Sequence, residues 1–169
     1  NYNARSGMQN NYHSNLKKFY ENINYKIKKR SLFKSHPSDI NKIKLYPDAP
    51  YRLVEGISVK KFYGKINFEQ KRNFRELLNI SRISVCTYPE TIFSEAMAAN
   101  VPTILIYQES FFPRHHSCNY ILKSLSEAKI LFYDPLKAAM HLNKVYNSPQ
   151  DWWENRHVKK SRELFFKLA

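Results

Sequence analysis

The sequence predicts an α/β fold, a Rossmann-like parallel sheet flanked by helices, with amphipathic helices near both ends of the chain. Three observations point there. Strand-like and helix-like segments alternate about four times after an opening helix, the order that right-handed βαβ crossovers produce. The run Val101–Tyr107 is apolar and β-branched, as a strand buried on both faces should be. Asp134-Pro135, a strong helix start, directly follows the strand-like run Lys129–Tyr133.

Residues 1–9 read as a loose lead-in. From Asn10 to Arg30, Tyr12, Leu16, Phe19, Tyr20, Ile23 and Ile27 recur at helical spacing and predict one helix of four turns. Lys17, Lys18, Lys28 and Lys29 fall on its opposite face. Ser31–Lys34 is a short strand candidate, ended by Ser35-His36-Pro37. Residues 38–66 are the least readable; Pro47 and Pro50 break any helix, and a short strand is expected near Ile57–Val59. The next helix is expected to begin at Asn67, with Gln70 in the capping-box position and Phe74, Leu77 and Leu78 as its buried stripe.

Ile83–Thr87 then reads as a strand, Glu90–Ala99 as a helix and Val101–Tyr107 as the following strand. Pro113 and the histidines after it open a helix with Cys118, Ile121, Leu122, Leu125 and Ala128 on one face. After the strand Lys129–Tyr133, a helix runs from Asp134-Pro135 to about Asn147. Ser148-Pro149-Gln150-Asp151 starts one last helix carrying Trp152, Trp153, Val158, Phe165 and Leu168. The Trp152-Trp153 pair could form a carbohydrate platform, but an amphipathic setting places at least one Trp in the core.

The chain has 169 residues and is 43% apolar, enough for one domain with one sizeable core. It opens at Asn1 without a methionine, which suits a processed or excised piece of something longer. No apolar run reaches the roughly 18–20 residues of a membrane span, and the first thirty residues are polar and basic. Cys86 and Cys118 both fall on apolar faces, so two buried thiols in a reducing, cytoplasmic setting are expected, with no metal knuckle. Three glycines argue against Walker or GxGxxG phosphate loops. The net charge of +14 suits nucleic acid, an anionic membrane or a polyphosphorylated small substrate. No RNP-like, helix-turn-helix or zinc pattern supports specific nucleic-acid binding.

Ligands of open parallel sheets bind at the carboxyl ends of the strands. That rule gathers three segments on one rim: Lys34–Ser38, Thr87–Thr91 and Tyr107–Arg114. In the first, Pro37 holds His36 extended, where its imidazole can donate to a phosphate oxygen beside the charge of Lys34. In the second, Thr87, Tyr88, Thr91 and Ser94 set hydroxyls around a helix N-terminus, which favours an anion. Glu90 would repel phosphate and fits better as a capping carboxylate, while Glu95 can accept from sugar or ribose hydroxyls. In the third, Arg114, His115 and His116 follow a strand and could hold a diphosphate or an acidic sugar. Adjacent histidines on a helix diverge by about 100°, which disfavours one metal between them.

The unit ISVCTYPETIFSEAMAANVPTILIY resembles the donor-binding half of GT-B glycosyltransferases. The Lys34-x-His36-Pro37 element resembles one in CDP-glycerol glycerophosphotransferases, capsule polysaccharide enzymes and some bacterial sialyltransferases. From about Asn67 onward the chain resembles the C-terminal part of O-antigen (surface polysaccharide) biosynthesis transferases. That likeness rests on Thr87, Tyr88, Thr91 and Glu95, on Asn100-x-Pro102-Thr103-Ile104, on Leu125–Leu131, on Asp134-Pro135 with Ala138, Ala139 and Asn143, and on Asp151-Trp152-Trp153.

The resemblance implies a metal-independent glycosyltransferase domain without a cofactor, the C-terminal half of a two-domain enzyme, inactive without its partner domain. Its donor would be a nucleotide-sugar and its acceptor a saccharide or a lipid-linked glycan. Lys34, His36, Thr91 and Arg114 would stabilise the leaving nucleoside phosphate, with His36 the one candidate for a catalytic role. Thr87, Tyr88, Glu90, Ser94 and Glu95 complete the substrate-binding candidates. The cationic helix 10–30 could rest peripherally on the inner face of an anionic membrane. A CDP-glycerol-type phosphopolyol transferase is the nearest alternative, and a basic nucleic-acid-binding module a more distant one.

Overall fold

The structure, a computed structural model, describes residues 14–34, 67, 69, 71–87, 89–109 and 115–168. Three strands, β1 (Ser84–Cys86), β2 (Thr103–Ile106) and β3 (Leu131–Phe132), form a parallel sheet in the order β1-β2-β3. Val85 pairs with Ile104 and Leu105 with Leu131. Before β1 come helices α1 (residues 14–22), α2 (Tyr25–Arg30) and α3 (Phe74–Ile80). The crossovers are α4 (Thr91–Ala98) and α5 (Asn119–Glu127), and α6 (Pro135–Val145), α7 (Pro149–Trp153) and α8 (Arg156–Leu168) follow β3. Expected strands within residues 35–66 lie outside the described residues.

Strand alternation divides the core. Leu105 and Leu131 face one way, with Phe93, Met97, Leu125, Trp153 and Val158 from the crossover and C-terminal helices. Ile104, Ile106 and Phe132 face the other way, against Leu16, Phe19, Ile23 and Ile27 from α1 and α2, and Ala138 and Leu142 from α6. The sheet is therefore the middle of three layers, and every residue of β2 is buried. Trp152 packs against both clusters, and Trp153 is 0% exposed, so neither ring is a free carbohydrate platform.

Four expectations are corrected. The helix expected over residues 10–30 breaks between α1 and α2 at Ile23-Asn24. Asn143 of α6 holds that break: its Oδ1 accepts from the Asn24 N–H (2.7 Å) and its Nδ2 donates to the Asn22 carbonyl (2.9 Å). The strand expected at Ser31–Lys34 shrinks to Phe33, whose backbone bonds Asn67 and Glu69. The next helix starts at Phe74 rather than near Asn67. Its capping box is Asn73 with Glu76, at 2.9 and 2.7 Å; Gln70 lies outside the described residues. The single terminal helix is two, because Asn155 restarts the chain by accepting from the His157 N–H at 2.9 Å.

Smaller differences concern the remaining caps and thiols. Asp134 caps α6 as expected, accepting from Leu136. Cys118 is half-buried as the last residue of a 3-10 turn (His116–Cys118) leading into α5, and only Cys86 is buried. Burial pushes the Cys86 thiol up to about 11, against a hydrogen bond with Ser84. Among the described residues, no helix is long and apolar enough to cross a membrane.

Candidate functional site

The unit β1–α4–β2 puts a helix N-terminus at the carboxyl end of the sheet. Glu90 is the N-cap residue of α4, and its carbonyl accepts from Phe93 (3.0 Å) and Ser94 (3.2 Å). Its side chain makes no cap hydrogen bond, so the capping carboxylate expected from sequence is corrected. Among the described residues, no hydrogen bond engages the N–H groups of Thr91 or Ile92, and the Thr91 side chain is exposed. Thr87 is half-buried at the end of β1, and Ser94 and Glu95 are half-buried one turn into α4. Unpaired helix N–H groups carry a partial positive charge that attracts an anion.

The start of α3 supplies the neighbouring charges. Arg75 reaches Glu95 at 3.6 Å, a largely exposed pair contributing at most about 1 kcal/mol. Three residues earlier, the Arg72 carbonyl accepts from Lys34 Nζ at 2.6 Å. Glu69 completes the cluster. Backbone N–H groups of Arg72 and Lys71, then the charges of Arg72 and Lys34, hold its carboxyl below the usual range. The segment from Arg72 to Arg75 thus links Lys34 to Glu95, two of the expected substrate-binding residues.

His36, Tyr88 and Arg114 lie outside the described residues. His115 and His116 are exposed, and their rings do not diverge: the centroids are 4.1 Å apart, because His115 is extended ahead of the 3-10 turn and not helical. His115 Nδ1 shares a 2.8 Å hydrogen bond with the Ser117 hydroxyl. Among the described residues, no group of three His, Cys, Asp or Glu side chains could hold a metal.

Sequence reasoning missed Arg75 and Gln108. Arg75 was hidden by the misplaced start of α3; the spacing Asn73-x-x-Glu76 is the signal that finds it. Gln108 is a polar side chain, 7% exposed, at the carboxyl end of β2, and its Oε1 accepts from Asn15 Nδ2 at 3.3 Å. A glutamine just past the fully buried strand β2 marks the rim. Two cavities lie away from it. One of about 340 Å³, between Arg82 and the start of α7, is at the amino end of the strands. The other, about 480 Å³, runs beside β3.

A parallel sheet with helices on both faces and an open helix N-terminus at its carboxyl rim defines an α/β protein of the Rossmann-like kind. The family model of the LIC12162 family transferase matches residues 2–168, and the chain belongs to that family. It is therefore a transferase domain. Neither the curated proteins nor the solved structures contain a match.

Proposed function

We propose that this transferase domain binds a nucleotide-activated sugar, with the diphosphate against the first turn of α4, as the donor half of a GT-B-like glycosyltransferase serving surface polysaccharide (O-antigen or lipopolysaccharide) synthesis. One observation carries the reading: the unengaged Thr91 and Ile92 N–H groups open at the carboxyl end of β1, with Thr87 and Ser94 alongside. Lys34 retains two ammonium protons beyond its bond to Arg72, and Arg75 adds a second cation. These charges would favour the leaving nucleoside phosphate as negative charge develops on it. Glu95, steadied by Arg75, would accept from donor hydroxyls. His36, Tyr88 and Arg114 stay in the proposal through the sequence resemblance, as does the absence of a metal or cofactor requirement. Glu90, exposed and acidic, would sit at the edge of the site and orient hydroxyls, not phosphate.

The acceptor would be a saccharide or a lipid-linked glycan, met at the cytoplasmic face of the membrane. The apolar side of α1 and α2 is spent on the core, so membrane contact there would be electrostatic, through Lys18, Lys26 and Lys29.

The test is thermal unfolding with UDP-, GDP- and CMP-sugars and with CDP-glycerol, the donor of the alternative phosphopolyol reading. A true donor at 100 times its Kd stabilises by about 2.7 kcal/mol, about 5–10 °C for a chain of this size. No shift with any member of the panel overturns the reading, and a shift confined to CDP-glycerol replaces it with the alternative.

A further inference from the structure

The cavity beside β3 has features that the donor site does not use. The stripe Lys137, His141 and Lys144 runs down one face of α6 at helical spacing and lines it. Lys129 faces it from the turn before β3, and Phe132 and Trp152 form its floor. The three lysines are exposed, and none makes an ion pair among the described residues.

The lining is unusual in one respect. The imidazole of His141 is wedged between Phe132 and Trp152, with ring centroids at 5.3 and 4.7 Å, and its buried Nε2 has no hydrogen-bond partner. Buried polar nitrogens normally find one. The cavity also lies within the size range of small-molecule sites.

We propose that this cavity is a second binding site, for a phosphate monoester or diester attached to an apolar body. The lysines would neutralise the phosphate, and the apolar body would lie over Phe132 and Trp152, beside the imidazole of His141. Met140, 70% exposed on the same helix face, would extend that apolar surface. The site is separate from the α4 rim: β1 and β3 are two strand spacings apart, about 10 Å. A soluble phosphate ester and a phospholipid headgroup share this chemistry.

Titration of the chain with phenyl phosphate, followed by the imidazole ¹H–¹⁵N signals of His141, tests the proposal. Phenyl phosphate should move those signals and bind at least tenfold more tightly than inorganic phosphate. The double substitution Lys137→Ala/Lys144→Ala should weaken binding at least tenfold, whereas Lys160→Ala/Lys167→Ala, on exposed positions of α8, should not. Displacement of phenyl phosphate by phosphatidic acid in phosphatidylcholine vesicles identifies a lipid headgroup, and its retention identifies a soluble ester. Unmoved His141 signals, or equal losses in the two lysine pairs, overturn the site, the second by reducing it to net charge. Thr91→Val should leave phenyl phosphate binding intact, so failure here and failure of the donor reading are distinguishable.

Discussion

At the amino end of the strands, polar side chains are consumed by the fold; at the carboxyl end, the first turn of α4 is left open. Asn100, just before β2, accepts from Trp153 Nε1 at 2.9 Å and from Arg162 Nη1. Arg162 also donates to the Trp153 carbonyl (3.2 Å), stacks its guanidinium 4.3 Å from the Trp153 ring and approaches Glu154 at 3.7 Å. Trp152 Nε1 donates to the Ala128 carbonyl at 3.0 Å. This network ties the turn before β2 to both C-terminal helices. At the first turn of α4, by contrast, no hydrogen bond engages the N–H groups of Thr91 or Ile92 among the described residues. The motifs Asn100-x-Pro102 and Asp151-Trp152-Trp153 are as distinctive in sequence as the rim, yet their work is structural.

The comparison breaks most directly at Trp153. Trp153→Ala should cost about 3–5 kcal/mol in urea unfolding, because it empties a fully buried site and strands the Asn100 and Arg162 groups. A cost below about 1 kcal/mol would mean that the amino end is not locked in this way. Thr91→Val is the counterpart at the rim. It should change stability by no more than about 0.5 kcal/mol while reducing donor affinity about tenfold, the effect of about one lost hydrogen bond. A large stability loss with unchanged donor affinity would reverse the assignment of the two ends.

A smaller effect sharpens the rim itself. Asn73→Ala should cost about 1 kcal/mol by opening the capping box. It should also loosen Arg75 from Glu95, read as a lower melting temperature and weaker donor protection together. A separate effect concerns pH. Burial first, then the charges of Lys129 and Lys144, push His141 down to about 4 from its ordinary 6.5. Between those values the unfolded chain binds a proton that the folded chain refuses. Stability is therefore full above about pH 6.5 and declines as pH falls toward 4. His141→Gln should flatten that decline in pH-resolved unfolding, and an unchanged slope would assign the loss to other groups.

Much of this was legible in the sequence because it is local. The strand–turn–helix–strand unit around Thr91, the Asp134-Pro135 helix start and the burial of the tryptophans each follow from periodicity or from one residue's backbone chemistry. The break at Ile23-Asn24 was not, since its cause, Asn143, is 119 residues away and no Pro or Gly marks the spot. The split between α7 and α8 depends on Asn155, a capping residue inside an otherwise continuous amphipathic pattern. At the site, the turn residues of α4 were readable, but Arg75 depended on the correct start of α3. The pairing of Gln108 with Asn15 depended on a contact across the fold.

Asn100 and Lys129 occupy twin turns. Each stands in the left-handed region, at φ 55 and 60, where a crossover helix ends and a strand begins. In each, the hydrogen bonds are those of a Schellman motif: Asn100 and Val101 donate to Met97 and Ala96, and Lys129 and Ile130 to Ser126 and Leu125. Geometry alone would admit glycine at both. At position 129 it would relieve backbone strain of about 1 kcal/mol and remove no contact of the fold, only one of the three charges lining the cavity beside β3. At position 100 it would also remove the acceptor that fastens the C-terminal helices. Two corners of identical shape therefore differ in how freely they can be redesigned.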